Sequence, residues 1–412
     1  MAMHLRRLYH TIETIGSQRF DSEEEQLKHV LEEIVRHEGI DLKGGRLWKL
    51  VVTTGMYELI HQTGSTDHIA LGHRIQVTDY PILFELPRLH TVLAEEDNQY
   101  LRDRGIHTYS VTGIGQKVDW QGQRLYRYIV AFNADSIGQD TTARLNIIGA
   151  ALNASLRSQR VERKAHRLEM DLDQASEIQR KILPQHAMQF SSYDMYGVSI
   201  ADRIVGGDFF DYLQVEGDTE QLGVVIGDAT SKGMSAAIEA LYVSGALRLG
   251  YQYQSRIGVL LSHVNKLFHK TFADDHFISL FYAELTDSVN GLMVYANCGH
   301  NNPILLRAGS DRPEFLKATG QVLGPFPEES FKTDSVHVGP GDLLLLYTDG
   351  ITEASNSQGD LYGEDRLVQR LIAGRALSPK ELTQHLLDDV QTYSTQGPYS
   401  DDRTLIVIAR RP

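Results

Sequence analysis

Apolar residues in the first 38 positions recur three or four apart, at Leu5, Leu8 and Ile12 and again at Leu27, Val30, Leu31 and Ile34. That spacing predicts two amphipathic helices. Asp21 and Ser22, followed by Glu24 and Glu25, mark the start of the second. From Gly45 to Asn133 the period changes to short apolar runs between turn residues: RLWKLVV at 46–52, MYELIHQ at 56–62 and LYRYIVAFN at 125–133. These read as strands, so the first 140 residues are expected to form a small α+β domain.

Between Thr141 and Leu183 there is no proline and a single glycine, Gly149. A helix of about 40 residues fits, roughly 60 Å long at 1.5 Å per residue. Its later part places Val161, Ala165, Leu168, Leu172, Ala175 and Ile182 at heptad-like steps, with charged residues between them. A parallel two-stranded coiled coil joining two copies of the chain is expected; a lone amphipathic helix packed on its own domain gives the same pattern. Pro184 ends the helix, because its ring cannot continue the hydrogen-bond ladder.

Beyond residue 190 the pattern is rich in strands: 194–200, 209–215, 222–228, 276–285, 291–298, 303–308, 342–349 and 404–409. Helical periods occupy 233–250, 256–272, 364–373 and 378–394. Strands joined by hairpin-sized connections, with helices in pairs, predict a two-sheet sandwich covered by helices. The expected divisions are 1–140, a helical linker at 141–184, and 185–412.

Charge refines this division. The 412 residues carry a net charge of −14. Residues 1–165 hold 21 acidic and 20 basic side chains, so nearly the whole imbalance lies in the second part. An acidic field of that size repels phosphate backbones, and no nucleic-acid partner is expected. One cysteine, Cys298, excludes an internal disulfide and a multi-cysteine zinc site. With no 18-residue apolar stretch and no signal-like start, the expectation is a soluble, cytoplasmic protein without a membrane partner.

Candidate chemistry sits at the ends of the apolar runs. Asp208 in IVGGDFFDYL, Asp228 in VVIGDATSKG, Asp349 in LLLYTDGITEA, and Asp401 with Asp402 in YSDDRTLIVIA all stand where a strand begins or stops. Strand ends hold side chains rigidly, and oxygen ligands suit Mg²⁺ or Mn²⁺. Taken singly, each aspartate also fits a turn or a helix cap. Gathered together they raise one another's pKa, a conflict that a bound cation removes.

In this order, VGGDFFDY, VVIGDATSKGMSAA, YANCGHNNPILL, LGPF, GDLLLLYTDGITEA and DDRTLIVIA, preceded by DLDQASEIQRKILP, resemble the RsbU/SpoIIE-type branch of the PPM metal-dependent serine/threonine protein phosphatases over about residues 168–411. The resemblance implies an α-β-β-α sandwich with a binuclear Mn²⁺ or Mg²⁺ site. Asp228 would bridge the metals, the carbonyl of Ala229 would coordinate one, and Asp208, Asp349 and Asp401 would complete the set. Asp211 and Asp402 are implied as outer partners. The substrate implied is a phosphorylated protein, often a STAS-type anti-anti-sigma factor in bacterial partner switching.

Two departures from that pattern stand out. Ser231 occupies a position where many relatives carry glycine, and Thr230 stands where other PPM branches carry a general-acid histidine. Arg203 reads either as a phosphate contact or as a surface arginine. His300 reads as part of a turn between strands, and Cys298 as a small buried side chain. Residues 1–160 resemble a GAF-type sensor in overall pattern only, with an unknown small-molecule or protein input. Nine of the 17 histidines fall there, as surface or core residues or as a metal or haem site. A catalytically silent scaffold of the same fold is the competing reading; a diguanylate cyclase, suggested by GGDFF at 206–210, does not account for DGITEA and DDRT.

Overall fold

The computed structural model describes residues 20–36, 42–65, 68–134, 137, 139–215, 220–253, 256–272, 275–395 and 401–412. The helix expected around Leu5, Leu8 and Ile12 lies outside them. The chain divides into two compact units, Met1–Arg167 and Leu168–Pro412.

In the first unit, six antiparallel strands lie in the spatial order Arg74–Gln76, Met56–Gly64, Gly44–Val51, Gln123–Asn133, Thr108–Trp120 and Thr91–Glu95. Alternation along each strand sends neighbours to opposite faces. Leu47, Val130 and Phe132 meet Leu27, Leu31 and Ile34 of the helix Glu23–Arg36, and Leu145, Ile148 and Leu152 of the long helix. Trp48, Ile129 and Val111 face the other way, toward Leu83, Leu86 and Leu101. Helix Glu23–Arg36 begins with a reciprocal cap: the N–H of Glu25 donates to Ser22 Oγ at 3.1 Å, and the N–H of Asp21 donates to the Glu25 carboxylate at 3.2 Å. The expected long helix runs without a break from Gln139 to Ile182.

The second unit contains two antiparallel sheets. One has five strands, ordered Asp334–His337, Leu292–Cys298, Ile278–Thr286, Gln221–Ala229 and Phe209–Leu213. The other has six, ordered Pro313–Phe315, Ile304–Leu306, Leu343–Tyr347, Arg403–Arg410, Tyr193–Ile200 and Ala187–Phe190. Val224, Ile226, Phe281 and Met293 from the first sheet pack against Leu344, Leu346, Ile406 and Ile408 from the second. Val225, on the opposite face from its two neighbours, packs under the helices Met234–Tyr251 and Ile257–Thr271. Leu345, Leu405 and Val407 likewise pack under Glu364–Ala373 and Pro379–Ser394. Helix, sheet, sheet, helix is the layering expected from the sequence.

Three strands of this unit were not foreseen: Ala187–Phe190, Pro313–Phe315 and Asp334–His337. Each lies at a sheet edge. An edge strand needs no apolar run on either face, so the alternation that reveals the central strands is missing. Among the described residues, no helix is long and apolar enough to cross a membrane.

Candidate metal centre

The aspartates singled out in the sequence come from both sheets. Asp208 immediately precedes the strand Phe209–Leu213, and Asp228 is the penultimate residue of Gln221–Ala229. Asp349 opens the short helix Asp349–Thr352 that follows Leu343–Tyr347, while Asp401 and Asp402 stand just before Arg403–Arg410. Asp228, Ala229, Asp349, Asp401 and Asp402 line one cleft of about 220 Å³. Asp208 is 3% exposed and lies behind the cleft wall beside Asp228.

Hydrogen bonds fix these groups. Thr348, fully buried, donates its hydroxyl to Asp208 Oδ2 at 2.6 Å. The same oxygen of Thr348 accepts from the N–H of Thr404 at 3.0 Å, tying the strand ends of the second sheet to Asp208. Asp402 accepts from three backbone N–H groups of the 202–208 loop: Asp202 at 2.8 Å, Gly207 at 2.6 Å and Asp208 at 3.3 Å. Asp402 is therefore the clamp of that loop. Gly206 is required for the clamp, because a Cβ there would stand 2.4 Å from Asp402 Oδ2. Gln179, on the last turn of the long helix, holds Gly206 from the other side.

The electrostatics are those of carboxylates forced together. Burial, followed by the charge of Asp228, pushes the Asp208 carboxyl far above its usual range, and the hydrogen bond from Thr348 only partly offsets this. Burial and the charges of Asp349 and Asp401 push Asp228 up as well. Asp349 is raised by burial and by Glu353 and Asp401. Asp402 is raised chiefly by burial, against the pull of its backbone donors.

This donor set is all oxygen, rigidly mounted and over-charged, and it fits a hard divalent cation. Among the described residues no three carboxylate, imidazole or thiolate groups are already gathered tightly enough to enclose one ion.

One residue falls elsewhere than the resemblance implied, while His300 and Cys298 stand as the sequence reading has them. Asp211 faces away from the cleft: its carboxylate is held by Arg248 Nε at 2.5 Å and Nη2 at 3.0 Å. It is a partner of the helix Met234–Tyr251, not an outer partner of the metal cluster. His300 is buried in the expected turn; its backbone N–H donates to Asn297 Oδ1 at 2.9 Å, and its Nδ1 lies 2.8 Å from Ser279 Oγ. Burial lowers its pKa to about 4. Cys298 is fully buried, and burial pushes its thiol up, as befits an inert side chain. Arg203 is exposed and on the cleft wall. Sequence reasoning gave no role to Thr348, Gln179 or Asp202. Thr348 was within reach, since it directly precedes Asp349 in YTDG, whereas Gln179 and Asp202 carry no local signal.

Residues 218–411 match the family model described as Stage II sporulation protein E (SpoIIE). Protein IcfG of Synechocystis sp. is 28% identical over 290 residues, which cover 62% of this chain and 44% of IcfG. Phosphoserine phosphatase RsbU of Bacillus subtilis is 24% identical over 245 residues, covering 59% of this chain and 71% of RsbU. The chain thus spans less than half of the first of these relatives. Among solved structures, the SiaA-PP2C domain of Pseudomonas aeruginosa superposes with a TM-score of 0.51 at 17% identity, covering 60% of this chain and 98% of that domain. The stretch that gathers the aspartates of both sheets on one cleft is thus similar in sequence to SpoIIE and to phosphoserine phosphatase RsbU, and its two-sheet sandwich has the fold of a PP2C domain.

Proposed function

We propose that the chain is a Mn²⁺- or Mg²⁺-dependent phosphoserine/phosphothreonine protein phosphatase, regulated through its N-terminal unit. The observation that carries this is the convergence of Asp228, Asp349, Asp401 and Asp402 on one cleft with Asp208 behind it. Asp208, Asp228, Asp349, Asp401 and the carbonyl of Ala229 are the residues that would hold a binuclear site. When bound, such ions lower the pKa of a water nucleophile and neutralise charge on the phosphoryl group.

The chain's own residues set the stage for that chemistry. Asp402 and Thr348 orient the loop and the buried carboxylate, so that Asp208 is tied to the strand ends that carry Asp349 and Asp402. Arg203, on the cleft wall, is placed to meet a phosphate from solvent. No side-chain nucleophile is needed, and Thr230 leaves the cleft without a histidine next to Asp228.

The substrate we favour is a phosphorylated regulatory protein, a STAS-type domain being the family's precedent. We read the chain as a homodimer joined along the long helix, supported by the exposure of the heptad residues Val161, at 63%, and Leu168, at 61%. A GAF-type sensor role for the first unit is supported by its six-stranded antiparallel sheet, with two longer helices on one face and short helical turns on the other. Its signal would act by shifting the pitch or register of the helix Gln139–Ile182.

The test is phosphate release from a phosphoserine or phosphothreonine protein with Mn²⁺ present. Activity abolished by chelation and by Asp228→Asn or Asp349→Asn is expected. Silence under every metal and effector would favour the scaffold reading. Removal of residues 1–140 is expected to change the specific activity or its response to effector.

A further inference from the structure

A carboxylate with no part in the cleft is buried in the helix beside it. Glu239, on Met234–Tyr251, is fully buried among Ala236, Ala240 and Val243. Its Oε1 lies 2.7 Å from His276 Nδ1 and accepts from Ser235 Oγ at 3.1 Å. His276 is itself packed on Phe272, the ring centroids 6.4 Å apart. The same Nδ1 lies 3.0 Å from Ser231 Oγ, and Ser231 lines the cleft.

The chemistry of Nδ1 decides what Ser231 does. An imidazole nitrogen has one site, occupied either by a proton that it donates or by a lone pair that accepts. The 2.7 Å contact with Glu239 uses that site, whichever partner carries the proton. Ser231 therefore has no acceptor in His276, and its own hydroxyl proton is left for the cleft. The neighbouring hydroxyl has no such freedom: Thr230 donates to the carbonyl of Phe277 at 3.0 Å and accepts from its N–H at 3.3 Å.

We infer that Ser231 is a hydrogen-bond donor to the phosphoryl group of the substrate, and that Glu239 and His276 are positioning residues that keep its hydroxyl turned into the cleft. This rests on the phosphatase reading above. It gives a purpose to the serine at a position where glycine would suffice for the turn. A glycine there would leave the phosphate with one donor fewer, and His276 without Glu239 would be free to accept the serine proton and withdraw it.

The full-length chain in Mn²⁺ is titrated with inorganic phosphate by calorimetry, and in parallel kcat and KM are measured on a phosphoserine peptide. Ser231→Ala should weaken phosphate binding and lower kcat/KM about tenfold, and Ser231→Thr should restore both to within about threefold, as expected for one hydrogen bond to a charged group. Glu239→Met, which fills the buried site with an apolar chain, should reproduce most of the Ser231→Ala loss. The double variant should be no worse than Ser231→Ala alone, because both changes remove the same donor. Unchanged phosphate affinity in Ser231→Ala, or losses that multiply in the double variant, would overturn the inference. Phosphate binding with no turnover in the unaltered chain would sink the phosphatase reading, while the same binding series would still decide the role of Ser231. Failure of the unaltered chain to bind phosphate would sink both.

Discussion

Gln179 and Gly206 are joined by two hydrogen bonds: the side-chain amide of Gln179 donates to the Gly206 carbonyl at 2.6 Å and accepts from its N–H at 3.2 Å. Gln179 is 8% exposed, so the pair is shielded from water. Through Gly206 the last turn of the long helix grips the loop that Asp402 clamps from the other side. Gln179→Met keeps the bulk and removes both bonds. Faster hydrogen exchange across residues 202–208 is expected, together with a rise of several-fold in the Mn²⁺ concentration needed for half-maximal activity. Exchange unchanged from the native chain would show that Asp402 alone holds the loop.

Gly350 marks the tightest approach in the site. A Cβ there would stand 1.9 Å from the carbonyl oxygen of Asp402, and backbone cannot step aside as a flexible side chain can. Gly350→Ala is expected to cost about 2 to 4 kcal/mol of stability. It should also displace Asp349 from Asp401, abolishing activity even below the new melting transition. Thermal unfolding and phosphate release on the same preparation check both.

Arg248 joins three segments of the second unit. It holds the buried Asp211 and donates to the carbonyl of Ile182 at 2.6 Å. Arg248→Met leaves the Asp211 carboxylate buried without its cation, at a cost of roughly 3 kcal/mol. Asp211→Asn in the same chain removes the stranded charge and should recover part of that loss. Denaturant unfolding of the two variants gives the comparison.

His300 makes stability depend on pH in a defined window. Its pKa falls from 6.5 to about 4 on folding because burial disfavours the imidazolium. The unfolded chain therefore binds the proton first as pH drops, and the stabilising contribution is complete above pH 6.5 and declines toward pH 4. Its full size is about 3 kcal/mol, at 1.36 kcal/mol per unit. His300→Gln should flatten the unfolding free energy between pH 6.5 and 4. An unaltered slope in the variant would assign the effect to other groups.

Central elements were legible because burial writes a period into them. Val224, Val225 and Ile226 sit in a run that only a strand covered on both faces would carry, and Gln221–Ala229 lies where that run predicts. The edge strand Asp334–His337 was invisible because DSVH borrows its order from the strand Leu292–Cys298 beside it. The aspartates could be recognised by position at strand ends. Their roles could not all be read: Asp211 and Asp402 look alike as neighbours of the cluster, yet one pairs with Arg248 and the other clamps a loop some 200 residues earlier in the chain. Gln179 shows the same limit, for its partner is set by packing and not by local sequence.

The cleft draws Asp208 and Asp228 from one sheet and Asp349 and Asp401 from the other, so the site is also a gauge of the distance between the sheets. Each sheet's strand ends supply only two of these four carboxylates. Closing the interior with Phe281, Leu344 and Ile406 between the two layers is therefore the step that brings all four carboxylates to one cleft.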